Sequence, residues 1–261
     1  MFSKFIFDEM SSDIHDILCV KFGSSTGEQI VSAGSETDLS VEKAKRNNKF
    51  YIVNQSYSNP MSLTFQIVNT DGSSITPEKE STLEKWLCKR GVYKWFQLED
   101  DRYANVCYEA NISNPKLIDV GDVKGMEFTL TTNSAFGYSP ILTKKYTITD
   151  LNKSIGFYIN TDENDYIYPT VIITMVQAGI LEITNSTEVA NRKFTLNNVK
   201  VGEIISIDNE LPDISSSTSH DVYKDFNKHW LRFIDGKNSL IFNLNCTVII
   251  QYREIRKVGV Y

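Results

Sequence analysis

At 261 residues, with 41% hydrophobic and 23% charged positions, the chain has the composition of a folded globular protein and can bury one large core or two modest ones. A formal net charge of -6 and a pI near 5.2 argue against a nucleic-acid binder, because affinity for phosphates rests on clustered Lys and Arg. No apolar run approaches the roughly 20 residues that cross a bilayer, and the opening MFSKFIFDEMSSD has acids where a signal peptide would stay apolar, so cytoplasmic synthesis without membrane insertion is expected.

The first segment reads as strands Lys4 to Phe7 and Asp16 to Phe22, broken by the turn formers Ser11, Ser12 and Asp13. Gly23 to Ser40 is rich in Gly, Ser and Thr and reads as a long loop. Phe50 to Val53 and Ser62 to Val68 are further strands. In the second, Leu63, Phe65 and Ile67 alternate with Thr64 and Gln66, so one face is buried and one is wet. Asp71-Gly72 closes it.

The stretch Thr76 to Ala110 has the clearest local grammar. Thr76 can cap a helix, Pro77 suits its first position, and Gly91 supplies a left-handed stop after Lys89 and Arg90. Leu83, Trp86 and Leu87 share one face at helical spacing, and charged residues fill the rest. The period then changes to two, in aromatic-rich runs Val92 to Leu98 and Tyr103 to Ala110 around the turn Glu99-Asp100-Asp101-Arg102, which predicts an antiparallel hairpin. Asn114-Pro115 and Gly121 to Gly125 mark turns between strands near Leu117 and over Met126 to Thr131. Asn133 to Pro140 has linker composition.

From Ile141 onward no helix is predicted. Tyr146 to Ile148, Ser154 to Asn160, Thr170 to Val176, Gly179 to Thr184, Lys193 to Leu196, Glu203 to Asp208, Trp230 to Ile234, Ser239 to Asn243 and Thr247 to Tyr252 read as short, closely spaced strands. That spacing is the mark of a β-sandwich, with Ala178-Gly179 and Asp235-Gly236 as turns and the Ser-rich Pro212 to Asp221 as its loosest loop.

The helix with its Trp-Leu pair, the Gly, the aromatic strand, the Asp-rich turn and the Tyr-containing strand together resemble the N-terminal domain of siphophage distal tail (Dit) proteins. FIFDEMSSDIHDILCV (Phe5 to Val20) is similar to that family's opening strand, turn and second strand, and NPMSLTFQIV (Asn59 to Val68) to its next core strand. YPTVIITM, GILEITN, KFTLNNVKVGEIISID and FIDGKNSLIF follow in the order of its galectin-like C-terminal domain. The resemblance implies a mainly β protein with one short α-helix. Residues 1-134 would form the ring-building domain and 135-261 the galectin-like β-sandwich, with the last residues free to return to the first domain. It further implies a homo-hexameric ring at the phage tail tip, in the virion. The ring would join the tail tube protein to the tail-associated tip or hub protein, leave a channel for DNA, and carry receptor-binding proteins on its outer domain.

The residues themselves offer little chemistry. His15, His220 and His229 do not pair at ligand spacing, and Cys19, Cys88, Cys107 and Cys246 are scattered without a CxxC, so buried free thiols and no metal are expected. Asp162, Glu163 and Asp165 form an acidic knot without the twelve-residue calcium loop grammar, and read as a solvated turn. No GxSxG, GxxxxGK or GxGxxG occurs, so no residue is assigned a catalytic or cofactor role, and the chain reads as a non-enzyme without cofactors. The alternative is a carbohydrate-binding module for host cell-wall glycan. Its nearest platform is His229, Trp230 and Arg232, where alternation puts Trp230 and Arg232 on one face. The matched His, Asn, Arg and Trp set of sugar-binding galectins is missing. A glycan hydrolase comes third, since 33 acidic residues offer many accidental carboxylate pairs.

Overall fold

The computed structural model describes residues 4–22, 37–57, 59–99, 105–120, 123–150, 154–188 and 192–257. The chain divides into two compact units, Met1–Tyr138 together with Arg256–Tyr261, and Ser139–Ile255.

The first unit contains β1 (Lys4–Phe7), β2 (Met10–Ser11), β3 (Ile17–Phe22), β4 (Thr37–Lys43), β5 (Phe50–Tyr57), β6 (Ser62–Asn69), α1 (Pro77–Leu87), β7 (Lys94–Glu99), β8 (Tyr108–Val120), β9 (Val123–Thr132) and β10 (Gly137–Tyr138). Seven strands form one antiparallel sheet in the order β2-β1-β7-β8-β9-β6-β3. Alternation decides which face is buried. Phe5 sits opposite Leu98, Phe7 opposite Phe96, Phe96 opposite Tyr108, and Phe65 opposite Phe128, and all of these are buried. Such directly opposed pairs are the unit of sheet stabilisation.

Helix α1 covers that face. Thr76 Oγ1 accepts the Lys79 amide at 3.3 Å, and Leu83, Trp86 and Leu87 are buried as the helical spacing predicts. The Trp86 ring stacks on Phe5 with centroids 5.7 Å apart, and its Nε1–H donates to the Phe7 carbonyl at 3.3 Å. The helix ends at Leu87, before the expected Arg90. Tertiary partners explain the early stop. Asn111 Nδ2 donates to the Lys89 and Val92 carbonyls at 3.0 and 2.7 Å, and the Lys89 ammonium is paired with Asp8, so the chain peels off into β7. Gly91 follows with φ +73°.

Two expectations are corrected in this unit. Thr37 to Ser40 belongs to a strand, whereas residues 23–36 of the expected loop lie outside the described residues, as do 100–104 of the hairpin turn and 121–122. Asn114-Pro115 does not end a strand but forms a bulge inside β8, between Ser113 and Lys116, with Asn114 at φ +53°. Pro has no amide to donate, so the ladder skips it and resumes at Lys116 opposite Glu127.

The second unit contains β11 (Leu142–Ile148), β12 (Ile155–Ile159), β13 (Thr170–Met175), β14 (Gly179–Asn185), β15 (Lys193–Val199), β16 (Ile204–Asp208), β17 (Asp213–Ser216), α2 (Val222–Asp225), β18 (Gly236–Phe242) and β19 (Cys246–Tyr252), and the division between the units falls within β20 (Ile255–Arg256). Sheets ordered β11-β19-β13-β16-β17 and β12-β18-β14-β15 enclose one apolar core, which includes Ile173, Ile183, Phe194, Ile205, Phe233 and Val248. Three expectations fail here. The loop from Pro212 contains β17, paired with β16, and a short helix follows it. Trp230 to Ile234 is not a strand: Phe233 keeps an isolated bridge to Ile167, with backbone bonds of 2.8 and 2.9 Å, while buried asparagines take up the bonds of its neighbours. Asn209 Oδ1 accepts the Leu231 amide at 2.7 Å, Asn185 Nδ2 donates to the Arg232 carbonyl at 3.1 Å, and Asn238 exchanges bonds of 3.1 and 2.7 Å with Ile234. The alternation survives, since Leu231 and Phe233 are buried while Trp230 and Arg232 are half-buried.

Candidate functional site

The candidate with the largest surface is the ribbon of β4 and β5. Register runs from Thr37 opposite Tyr57 to Lys43 opposite Phe50, with a bulge between Ser40 and Val41, and among the described residues the ribbon joins no other sheet. The turn closes through Ala44 N–H to Lys49 O at 2.8 Å, with Asn48 at φ +55°. At its base, Tyr57 meets Phe136 edge to face at 4.6 Å. Along β5, alternation puts Phe50 and Ile52 on one face and Tyr51 on the other, with Val53 at the bulge. All four are exposed, between 54% and 66%, and Leu39 and Val41 on β4 are more than half exposed. A solvated strand normally keeps polar groups outward, so a ribbon apolar on both faces is shaped to be covered. The sequence marks Phe50 to Val53 as a strand, but four apolar residues in a row do not say whether anything covers them.

The sandwich holds the densest cluster of titratable groups. His220 Nε2 lies 2.7 Å from Glu203 Oε1 and its Nδ1 lies 3.0 Å from Asp225 Oδ2. Ser216 Oγ donates to Glu203 Oε1 at 2.6 Å, and Glu203 Oε2 accepts the Lys200 amide at 2.7 Å. A serine, a histidine and two acids are thus assembled, but in the wrong order for nucleophilic catalysis. The serine donates to a carboxylate, and both imidazole nitrogens are taken by carboxylates, so no free ring nitrogen remains to accept its proton. Hydrogen bonds that the ring gives to Asp225 and then to Glu203 raise its pKa against burial.

His15, half-buried, packs its ring 4.6 Å from Trp86, with Nε2 buried and without a hydrogen-bond partner. Among the described residues no group of three or more His, Cys, Asp or Glu could hold a metal ion. None of the four cysteines is in a disulfide, and burial pushes Cys88 and Cys246 up to about 11, so neither is a thiolate at neutral pH. The acidic knot is a bonded turn, with the Asp162 amide donating to the Ile255 carbonyl at 3.0 Å and the Asn164 amide to Glu163 Oε1 at 2.9 Å.

The sugar platform does not form an open face. Trp230 meets Phe226 edge to face at 4.7 Å and packs against the sandwich core. Arg232 is paired with Glu188, through Nε at 2.6 Å, and lies over Tyr166 at 3.7 Å from its ring centre. His229 remains exposed beside Asn227.

The sequence matches a family model described as a phage tail protein N-terminal domain over residues 1–134, and one described as a phage tail C-terminal domain over residues 136–252. Among solved structures it is similar to the crystal structure of SPP1 Dit (gp 19.1), titled a paradigm of the hub adsorption apparatus in Gram-positive infecting phages. The TM-score is 0.68 at 12% identity, over 97% of this chain and 99% of that one, a likeness of fold. No curated protein matches the chain.

Proposed function

The chain belongs to the phage tail protein family whose N-terminal domain spans residues 1–134, and from that premise we propose that it is the ring-forming subunit at the distal end of the tail. Six copies would close through the first domain, residues 1-134, leave a passage for DNA and present residues 135-261 outward as an attachment platform. The tail tube protein on one side and the tip or hub protein on the other would be its partners, and its part would be structural rather than catalytic. The fold shared with SPP1 Dit, a protein described as a paradigm of the hub adsorption apparatus, supports this reading.

The observation that carries it is the β4–β5 ribbon. An isolated two-stranded hairpin is marginal in water, and one with apolar groups on both faces gains stability only when another surface covers it. A head-to-tail contact in which each copy extends such a ribbon onto the next must either close or grow into a filament, and an adaptor between tube and tip must close. The acidic balance agrees with a passage that neutralises few phosphates.

The test is particle sizing of the full chain beside a variant carrying Val41→Ser, Phe50→Ser and Ile52→Ser. A closed ring for the parent, and folded monomers with the parent's β-type circular dichroism for the variant, are expected. A variant that still closes would remove the ribbon from the contact. Cryo-electron microscopy of the intact particle that placed the chain anywhere but a ring at the tail tip would defeat the assignment.

A further inference from the structure

One side of the sandwich is closed by the segment running through β17 and α2. Its two ends belong to different sheets. β17 pairs with β16 at the edge of the five-stranded sheet, Ile207 opposite Ile214. Helix α2 is seated on β15, the edge of the four-stranded sheet. Asn197 Nδ2 donates to the Asp225 carbonyl at 3.1 Å, Asn198 Nδ2 donates to Asp225 Oδ1 at 2.9 Å, and Leu196 bridges to Phe226. His220 lies between these anchor points. Its side chain is 12% exposed, and that of Glu203, immediately before β16, is fully buried.

Both ring nitrogens face carboxylate oxygens, at 2.7 and 3.0 Å, and each contact is attractive only where the nitrogen carries a hydrogen. We infer that His220 is a proton-operated latch. With both ring protons it ties the five-stranded sheet to the helix seated on the four-stranded sheet, and loss of one proton frees Asp213 to Asp225 to lift from that side.

A neutral imidazole has one N–H, so one nitrogen would turn a lone pair on a carboxylate. The cluster carries a net charge of about -1 with the imidazolium and about -2 without it, counting His220, Glu203 and Asp225 alone. Removing the counter-charge from a buried carboxylate is strongly unfavourable, and Glu203 cannot reach water without moving the segment. Among the described residues Glu203 and Asp225 are the ionisable side chains that meet the ring. Ser216 donates to Glu203, with Thr218 behind it at 3.1 Å from Ser216 Oγ, and Asn198 and the exposed Lys224 act on Asp225. The two carboxylates raise the pKa of His220 in the folded chain. The latch is therefore complete below the unfolded value of about 6.5 and opens as pH rises through the higher folded value.

Amide exchange of the full chain, corrected for intrinsic base catalysis, reads this directly. Protection over 213–226 is expected to fall roughly tenfold or more between neutral pH and pH 9, a factor of ten being one pKa unit of linkage, while Val171 to Met175 stays protected. His220→Gln should exchange fast in that segment at every pH, and Asp225→Asn should move the midpoint to lower pH. Nitrogen NMR of the parent should give a His220 midpoint above about 6.5. Protection that is unchanged at pH 9, a midpoint below that value, or parental pH dependence in His220→Gln would overturn the latch. Should His220→Gln fail to fold, the parent titration and Asp225→Asn still decide.

Discussion

Trp86 concentrates several roles in one side chain. It fills the gap between α1 and the sheet, stacks on Phe5, and gives its indole hydrogen to a backbone carbonyl. Trp86→Ala should lower stability by ~3–5 kcal/mol, read as a shift in the urea midpoint, while the exposed Lys85→Ala should stay within about 0.5 kcal/mol. Equal tolerance would mean that the helix buries another face. The neighbouring His15 has its pKa depressed, first by burial and then by Lys79. Between that depressed value and about 6.5 the unfolded chain binds the proton more tightly, so stability present above pH 6.5 is lost as pH falls. His15→Phe should shrink the loss of urea resistance between pH 7 and pH 5, and an unchanged loss would refute the role. The Trp86 stripe was legible from spacing, but the orphaned His15 nitrogen was not, because burial of a ring depends on what folds over it.

Elements differ in how much of their form is local. Helix α1 began where its cap and Pro said it would, yet stopped early because Asn111 and Asp8 hold the following residues. The tight turn from β1 to β2 puts Asp8 at φ +51° and Glu9 at φ +66°. Asp8 is compensated by ion pairs with Lys89 and, at 2.9 Å, Lys94. Glu9 is a longer side chain in a left-handed conformation, so Glu9→Gly should raise the unfolding free energy by about 0.5–1 kcal/mol, visible as a higher melting temperature. A fall would show that the Glu9 side chain supports the turn. The Trp230 to Ile234 stretch kept its alternation but is no strand, since side-chain amides of Asn185, Asn209 and Asn238 supply hydrogen bonds on either side of the single Phe233–Ile167 bridge.

At the scale of the whole molecule the described residues form two apolar clusters, one in each compact unit. The units should respond separately. Trp86→Ala is expected to accelerate amide exchange in β7 and β8 while leaving β13 and β19 protected, and acceleration in both would show one cooperative block. Opposite pH responses should accompany this, with the His15 effect weakening the first unit as acid is added and the His220 latch loosening the second as base is added. The proposed ring contact belongs to this scale as well, because the ribbon leaves its apolar groups exposed within the single chain.

Periodicity, capping residues and turn chemistry determined the mainly β class, the single longer helix, most strands and the membership that their order pointed to. These are properties of neighbours in sequence, where one residue's offset already says which face it occupies. Tertiary structure alone decided that Phe50 to Val53 stand in solvent, that Asn185, Asn209 and Asn238 replace a strand, and that Glu203, Ser216, His220 and Asp225 meet. Each of those outcomes rests on partners brought together by folding, and a spacing along the chain carries no distance in space until the sheets have closed.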